Sequence, residues 1–455
     1  MNYRTRVAVV YLLGFFIDLI NMFISNVAYP AISHHFQANV EQLAWISNGY
    51  IVGLTLVIPA SRWLASRLGA KRLLLISLMT FLVATVGAGT ANSLAALIGW
   101  RVVQGLGGGL LIPIGQTLTY ALYPPSQRAR LSAIIMLVGL LAPALSPAVG
   151  GIIADNVGWR WVFFASVPLA AVNLLLAALW LRSEKSALPV QRLDVGGLLT
   201  SSSALLLILL GLTLLGGNGT QLIGALLLMA GIAIMLFFIY RSLQKPHPLL
   251  NLRLARLPLF KISMLIYQLV PGIFTGVSLL TMLYLQNQLG MPATQVGELM
   301  LPWALAAFLA ISLTGKKFNQ LGPRPLFIAG CIINGCGLAG LTLIGTADDR
   351  ITQIVCFALM GFGSSLCSST AQSAAFIDID NAQLSDASAL WNINRQLSFC
   401  LGVTLMGLLY NLLSALQPAS EAYRSCFALA ALSTLLPIAL CLRLDNCRIV
   451  ARLTP

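Results

Sequence analysis

Apolar and polar positions along this chain alternate on a long scale. Runs of mostly Leu, Ile, Val, Ala, Phe and Gly occupy 7–30, 42–64, 72–91, 95–118, 130–153, 160–181, 196–216, 221–241, 259–285, 295–315, 325–345, 352–375, 386–413 and 423–442, separated by short polar breaks. Each run is long enough to cross a hydrocarbon core about 30 Å thick as a helix rising about 1.5 Å per residue. The pattern predicts an all-α integral membrane protein of fourteen transmembrane helices, with no soluble domain between them. The opening MNYRTR before an apolar run has the look of a signal peptide. That run is too long and too polar in its middle for one, so the first helix is expected to be retained.

Composition agrees: 58% of residues are hydrophobic and 9% charged, against roughly half apolar and a quarter charged in soluble domains. Charge then orients the helices. With the N-terminus in the cytoplasm, 22 of the 27 lysines and arginines fall in inner segments. Three, Arg160, Arg350 and Arg424, fall in outer ones, and Arg101 and Arg395 lie inside helices. That bias predicts a multi-pass protein of the cell inner (plasma) membrane with both ends cytoplasmic. It also accounts for the net charge of +14 without a nucleic-acid partner, because the basic residues are scattered over short loops rather than gathered on one face.

Enzyme chemistry has little support. The three histidines, His34, His35 and His247, form no metal-binding pair, and HExxH, GxSxG and Walker sequences are absent from the chain. The eight cysteines lie between Cys331 and Cys447 with no CxxC spacing, which suits small helix-packing residues better than disulfides or metal ligands. No cofactor and no metal are expected. GLGGGLLIPIG, Gly105 to Gly115, holds a GxxxG pair at Gly105 and Gly109 that lets helices approach closely.

An internal repeat organises the chain. RWLASRLGAKRLL, Arg62 to Leu74, is matched by GKKFNQLGPRPLF, Gly315 to Phe327, with Gly69 against Gly322 and Lys71 against Arg324. Six helices precede and six follow an inserted pair, a 6+2+6 plan with an N-terminal half at 1–182, linkers and two inserted helices at 183–256, and a C-terminal half at 257–455. Parallel six-helix repeats mark a transporter architecture whose substrate site lies between the halves near the bilayer midplane.

Five segments in order resemble motifs of the major facilitator superfamily, and within it the 14-helix drug:proton antiporters. They are NMFISNVAYP (Asn21 to Pro30), RVVQGLGGG (Arg101 to Gly109), GLLAPALSPAVGG (Gly139 to Gly151), WRWVFFASVP (Trp159 to Pro168) and NINRQL (Asn392 to Leu397). The resemblance covers essentially the whole chain and implies a major facilitator fold working as a monomer. It further implies export of small amphiphilic or cationic compounds, driven by protons moving inward. Pro143, Pro147, Gly150 and Gly151 of the antiporter motif stand in place, while Ala142 and Ser146 replace two glycines. The acid position of the first helix is Asn21, with Asp18 one turn earlier; in the loop after the second helix, Arg62 replaces a glycine and Ser66 an aspartate. These departures bear on coupling and on the inner gate.

Asp18, Asn21, Ser25 and Asn26 are spaced i, i+3, i+7 and i+8, so on a helix they form one polar stripe. An intramembrane acid costs about 2.5 to 3.5 kcal/mol on insertion scales and normally faces protein or water on an ion or substrate path. Asp18 is therefore the candidate for proton coupling; the alternative is a protonated hydrogen-bonding group between helices. Arg101 is its natural partner to consider, although an offset near 9 Å, counted at about 1.5 Å per residue, brings Asn21 nearer; Arg101 could equally be a helix–helix donor. Gln104, Asn392, Arg395 and Gln396 complete the cavity candidates, and Arg395 could bind either an anionic substrate group or a neighbouring carbonyl. Gating falls to Arg62, Ser66, Arg67, Gly69 and the helix-5 prolines and glycines. An inner pair of Arg62 or Arg67 with Asp378, Asp380 or Asp386, taken as wet-loop acids before helix 13, stands in for the missing acid. A proton-independent facilitator, a dedicated metabolite exporter and a non-transporting sensor or scaffold are the rival functions.

Reporter fusions at 120–128, 185–192, 246–256 and 318–323 are expected to read cytoplasmic, and those at 33–40 and 286–294 to read from the opposite face. Opposite signals at two or more sites would overturn the fourteen-helix map.

Overall fold

A computed structural model describes residues 2–38, 40–183, 194–215, 219–245 and 248–453, and every regular element among them is helical. Lys185, Arg192 and His247 lie outside the described residues. Thirteen stretches are long and apolar enough to span a membrane. They are α1 (Tyr3–Ile24), α2 (Trp45–Leu68), α3 (Ala70–Gly89), α4 (Leu94–Leu122), α6 (Trp159–Trp180), α7 (Val195–Leu215), α8 (Gln221–Gln244), α9 (Pro258–Gln288), α10 (Gln295–Leu321), α11 (Pro323–Leu343), α12 (Arg350–Ala375), α13 (Asn381–Ser414) and α14 (Ala419–Cys441). The helix α5 (Pro125–Asn156) has 32 residues. At about 1.5 Å per residue it exceeds the bilayer core, and it packs against α1 inside the bundle, so it makes the fourteenth crossing. Helices are what such a chain must form, because in lipid each backbone N–H and C=O needs a partner within its own segment.

The first crossing departs from the expected single helix over 7–30. It starts at Tyr3, and after Ile24 the chain winds as a 3-10 turn, Ser25–Ala28, before a short helix Tyr29–Phe36. Pro30 has no N–H to give to the preceding turn, and the tighter winding precedes it. Asp18 and Asn21 therefore share an α-helical face, whereas Ser25 and Asn26 belong to the turn.

Packing repeats between α1–α6 and α9–α14. The contacts α2 with α4, α3 with α4 and α1 with α5 recur as α10 with α12, α11 with α12 and α9 with α13. The duplicated loops repeat as well: Gly69 and Gly322 each join two helices at positive φ, 78° and 75°, a conformation that suits glycine. The inserted helices α7 and α8 pack chiefly on each other. The Ser202 hydroxyl donates to Leu56 O of α2 (3.1 Å), and Thr404 of α13 donates to Leu212 O of α7 (3.2 Å). Asp194 heads this hairpin, accepting from Gly197 N and Lys245 Nζ at 2.9 and 2.6 Å. Burial pushes its carboxyl up, but the ammonium and the N–H outweigh burial and hold it below the ordinary value. Large apolar side chains such as Leu222, Leu236, Leu309 and Leu343 point outward, as a lipid-facing surface requires.

Glycine sets the spacing of the N-terminal bundle. A Cβ at Gly105 would overlap Tyr50 O and Leu54 N of α2, and one at Gly53 would overlap Val102 O of α4. The two backbones touch there, which dispersion rewards only without side chains between them. Gly105→Ala should lower stability in detergent by about 1 to 3 kcal/mol, read as a lower Tm. Gly99→Ala, where a Cβ meets nothing within 4 Å, should leave Tm unchanged. Equal effects of the two would contradict the close contact.

Candidate functional site

Arg101 is fully buried, and its guanidinium is held by three helices. Nε donates to Ile46 O of α2 (3.0 Å), Nη1 to Gln104 Oε1 of α4 (2.7 Å), and Nη2 to Asn21 O (3.0 Å) and the Ser25 hydroxyl (3.4 Å) after α1. Gln104 passes the network on, donating to Asn21 Oδ1 (3.0 Å) and to Thr85 Oγ1 of α3 (2.7 Å), and Ser166 of α6 also reaches Asn21 Oδ1 (3.3 Å). Five of the six N-terminal helices meet at this one cluster.

Arg101 does not bond Asp18. The Asp18 carboxylate accepts from the Tyr50 hydroxyl, and the Arg101 guanidinium lies over the Tyr50 ring, 4.5 Å from its centroid. Tyr50 is thus wedged between acid and base, and the expected Arg101–Asp18 pair is replaced by an Arg101–Tyr50–Asp18 stack. The reason is depth: Asn21, one turn toward Arg101, supplies the carbonyl that the guanidinium takes. Gly108 of α4 makes room, since a Cβ there would overlap Asp18 Oδ1 and the Tyr50 hydroxyl. Tyr50, Thr85 and Ser166 escaped the sequence reading; the polar triplet Ser47, Asn48 and Tyr50 inside an apolar helix was the available signal for the first.

The C-terminal half faces this cluster with α13. Asn392 donates to Gln116 Oε1 of α4 (3.1 Å), a bond between the two halves, and to Ser388 O (2.8 Å). Trp391 Nε1 donates to Gln372 Oε1 (2.9 Å), and Gln268 Nε2 to Asn394 Oδ1 (2.9 Å). Gln116 Nε2 and the Ser388 hydroxyl are buried without a protein partner. Arg395 sits over the Phe15 ring of α1 at 5.3 Å; of the two partners its sequence position allowed, a neighbouring carbonyl is not taken among the described residues. Gln396 is buried. The side chains of Asn26 and Pro147 lie outside the described residues, while α5 stays helical through Pro143, Gly150 and Gly151.

A family model described as Major Facilitator Superfamily matches residues 11–403. The chain belongs to the major facilitator superfamily. Its relatives include the uncharacterized MFS-type transporter YhcA of Bacillus subtilis, 28% identical over 412 residues, 88% of this chain and 76% of the relative. They also include the multidrug resistance protein B homolog of Mycobacterium tuberculosis, 29% identical over 397 residues (86% and 73%). The drug efflux pump JefA of the same organism is 28% identical over 401 residues (87% and 78%). Among solved structures, the human organic anion transporter MFSD10 aligns at a TM-score of 0.70 with 15% identity, covering 97% of this chain and all of that one. The proton:xylose symporter XylE aligns at 0.63 with 16% identity, covering 96% of each chain. At those identities the likeness is one of fold. Superfamily membership makes this a multi-pass membrane transporter of small molecules.

In this major facilitator chain, the hydrogen bonds between the two halves, among the described residues, gather toward the end that carries the basic loops. Arg62 of α2 pairs with Asp386 of α13 at 2.6 Å. Arg128 of α5 donates to Phe376 O (2.8 Å) and Asn381 Oδ1 (3.0 Å), and Asn319 of α10 donates to Ser126 O (2.6 Å). Arg67 stacks on Trp63 instead of pairing with an acid, Ser66 bonds Trp63 O, and Asp378 pairs with Arg452 at 2.8 Å. Asp386 is not the wet-loop acid expected from the sequence. It lies in the first turn of a continuous helix with its side chain 2% exposed, so removing Arg62 would leave a buried charge uncompensated and cost more than breaking an exposed pair, worth about 0 to 1 kcal/mol. A double-mutant cycle of Arg62→Ala and Asp386→Ala, read as thermal stability, should give a coupling of about 1 to 3 kcal/mol. Strict additivity would remove the pair as a latch.

Proposed function

We propose that this chain exports small amphiphilic compounds from the cytoplasm in exchange for protons, with Asp18 as the carboxylate that carries the proton. The observation behind the reading is the acid itself: an aspartate 1% exposed at mid-helix, hydrogen-bonded by a hydroxyl rather than by either nearby arginine. A buried carboxylate of this kind is costly to keep unless its charge changes during the work cycle. Relatives named as multidrug resistance and drug efflux proteins support export. The charge bias of the loops supports a plasma-membrane location with both ends cytoplasmic, and the 6+2+6 division into 1–182, 183–256 and 257–455 supplies two halves that rock about the site.

On this reading the conformation described here, tied together at the basic end by Arg62–Asp386 and the Arg128 bonds, faces outward. Asp18 takes a proton from outside. Its bond from Tyr50 then loses its charge assistance, worth about 1 to 2 kcal/mol. That is enough to bias two nearly balanced states. Opening of the basic end exposes the acid to the cytoplasm, where the proton leaves and substrate enters. Arg101 stays engaged throughout; its share is to hold Tyr50 and Asn21 in place.

Asp18→Asn should fold, bind substrate and lose accumulation driven by a pH gradient in inside-out vesicles. Asn21→Asp in that background should restore part of it, by returning an acid to the resemblance's position. Uphill transport by Asp18→Asn with unchanged pH dependence would make Asp18 a structural residue and end the coupling assignment.

A further inference from the structure

Arg101 and Arg395 are both buried arginines, on facing sides of the same interior, but their surroundings differ. Every nitrogen of Arg101 has an acceptor. Arg395 is 7% exposed, and among the described residues its guanidinium makes no hydrogen bond and no ion pair; its neighbour is the face of Phe15. A cation over one aromatic ring gains about 0.5 to 2 kcal/mol, well short of what removing a guanidinium from water costs. Among the described residues, the N–H donors of Arg395 are therefore left unused by the protein. Asp18, one turn from Phe15 on α1, lies within electrostatic reach of this guanidinium, yet it accepts from Tyr50 and makes no direct contact with Arg395 among the described residues.

The surroundings of Arg395 are aromatic. Phe15 stacks with Tyr11 at 6.1 Å, and on the other half Tyr267 packs against Trp391 at 5.2 Å and Phe399 at 6.2 Å. The phenols of Tyr11 and Tyr267 both lie within electrostatic reach of the guanidinium. Rings of this kind cover a flat apolar body, while a planar guanidinium offers two parallel N–H donors matched to a carboxylate. A cationic amphiphile placed there would meet like charge in a poorly solvated setting. We infer that Arg395 is the polar anchor of the substrate site and selects amphiphiles that carry a carboxylate, with the aromatic part held among Tyr11, Phe15 and Tyr267. This deepens, and rests on, the reading of the chain as an exporter of small amphiphiles.

Two probes of matched shape separate the possibilities: 2-naphthoate and 2-naphthylmethylammonium. Binding of each to the purified full chain in nanodiscs is measured by calorimetry, independently of transport. Wild type should bind the carboxylate at least about tenfold more tightly. Arg395→Gln should lose about ten- to hundredfold in affinity for it, with little change for the ammonium, and Arg395→Lys should keep the preference at reduced affinity. Because Arg395 gives up no hydrogen bond or ion pair among the described residues, Arg395→Gln should melt no lower than wild type. Equal or reversed preference in wild type, or a fall in Tm with equal loss of both probes, would overturn the assignment. Vesicle transport of the same probes tells the two readings apart. Carboxylate binding without transport would remove the exporter and leave the anchor, whereas efflux indifferent to Arg395→Gln would do the reverse.

Discussion

A guanidinium at membrane depth is costly when its donors have no acceptor, and the N-terminal half is arranged around satisfying one. Arg101 takes Ile46 O, Asn21 O and Gln104 Oε1, so α1, α2 and α4 cannot separate or rotate without exposing a charge to lipid. The close glycine contacts serve the same geometry: only with Gly53, Gly105 and Gly108 lacking side chains do α2 and α4 approach until Tyr50 fits between Arg101 and Asp18. Hydrogen bonding and packing here are one constraint, since loosening the helices would lengthen every bond in the cluster.

The opposite half is polar without being closed on itself. Asn392 spends its donor across the interface on Gln116 of α4, the Ser388 hydroxyl keeps unused capacity, and Arg395 rests on a ring of the other half. A closely bonded Arg101 cluster in the N-terminal half against a partly bonded C-terminal face is a division of labour suited to transport. On the proposed reading, one side holds the ionisable group in a fixed setting, while the other keeps groups that an incoming molecule can satisfy. On that same reading, contacts at the basic end decide which way the interior opens, and the shielding of Asp386 gives the Arg62 pair more weight than a surface ion pair has.

The fourteen crossings were legible because lipid leaves a chain few choices. A run of about twenty apolar residues in a bilayer is a helix, and basic residues mark one set of loops. Gly69 and Gly322 were readable as a repeat for a similar local reason, each ending a helix where positive φ is needed. Asp18 stood out because an acid in such a run is expensive wherever it points.

Partners were a different matter. Counting residues along two helices places Asn21 near Arg101, but it cannot say that Tyr50 of a third helix enters between Arg101 and Asp18, nor that Thr85 and Ser166 join the cluster. Such contacts depend on rotation and approach of helices, which packing of glycines and aromatic rings sets. Whether Arg395 meets a carbonyl or a ring, and whether Asp386 lies in water or under Arg62, was likewise open in the sequence. By itself the chain's order of residues determined the number of crossings, the repeat and the polar side chains held within the membrane. The tertiary structure decided which of those polar groups are already satisfied, because a hydrogen bond between helices is fixed by a few ångströms of position that no local pattern encodes.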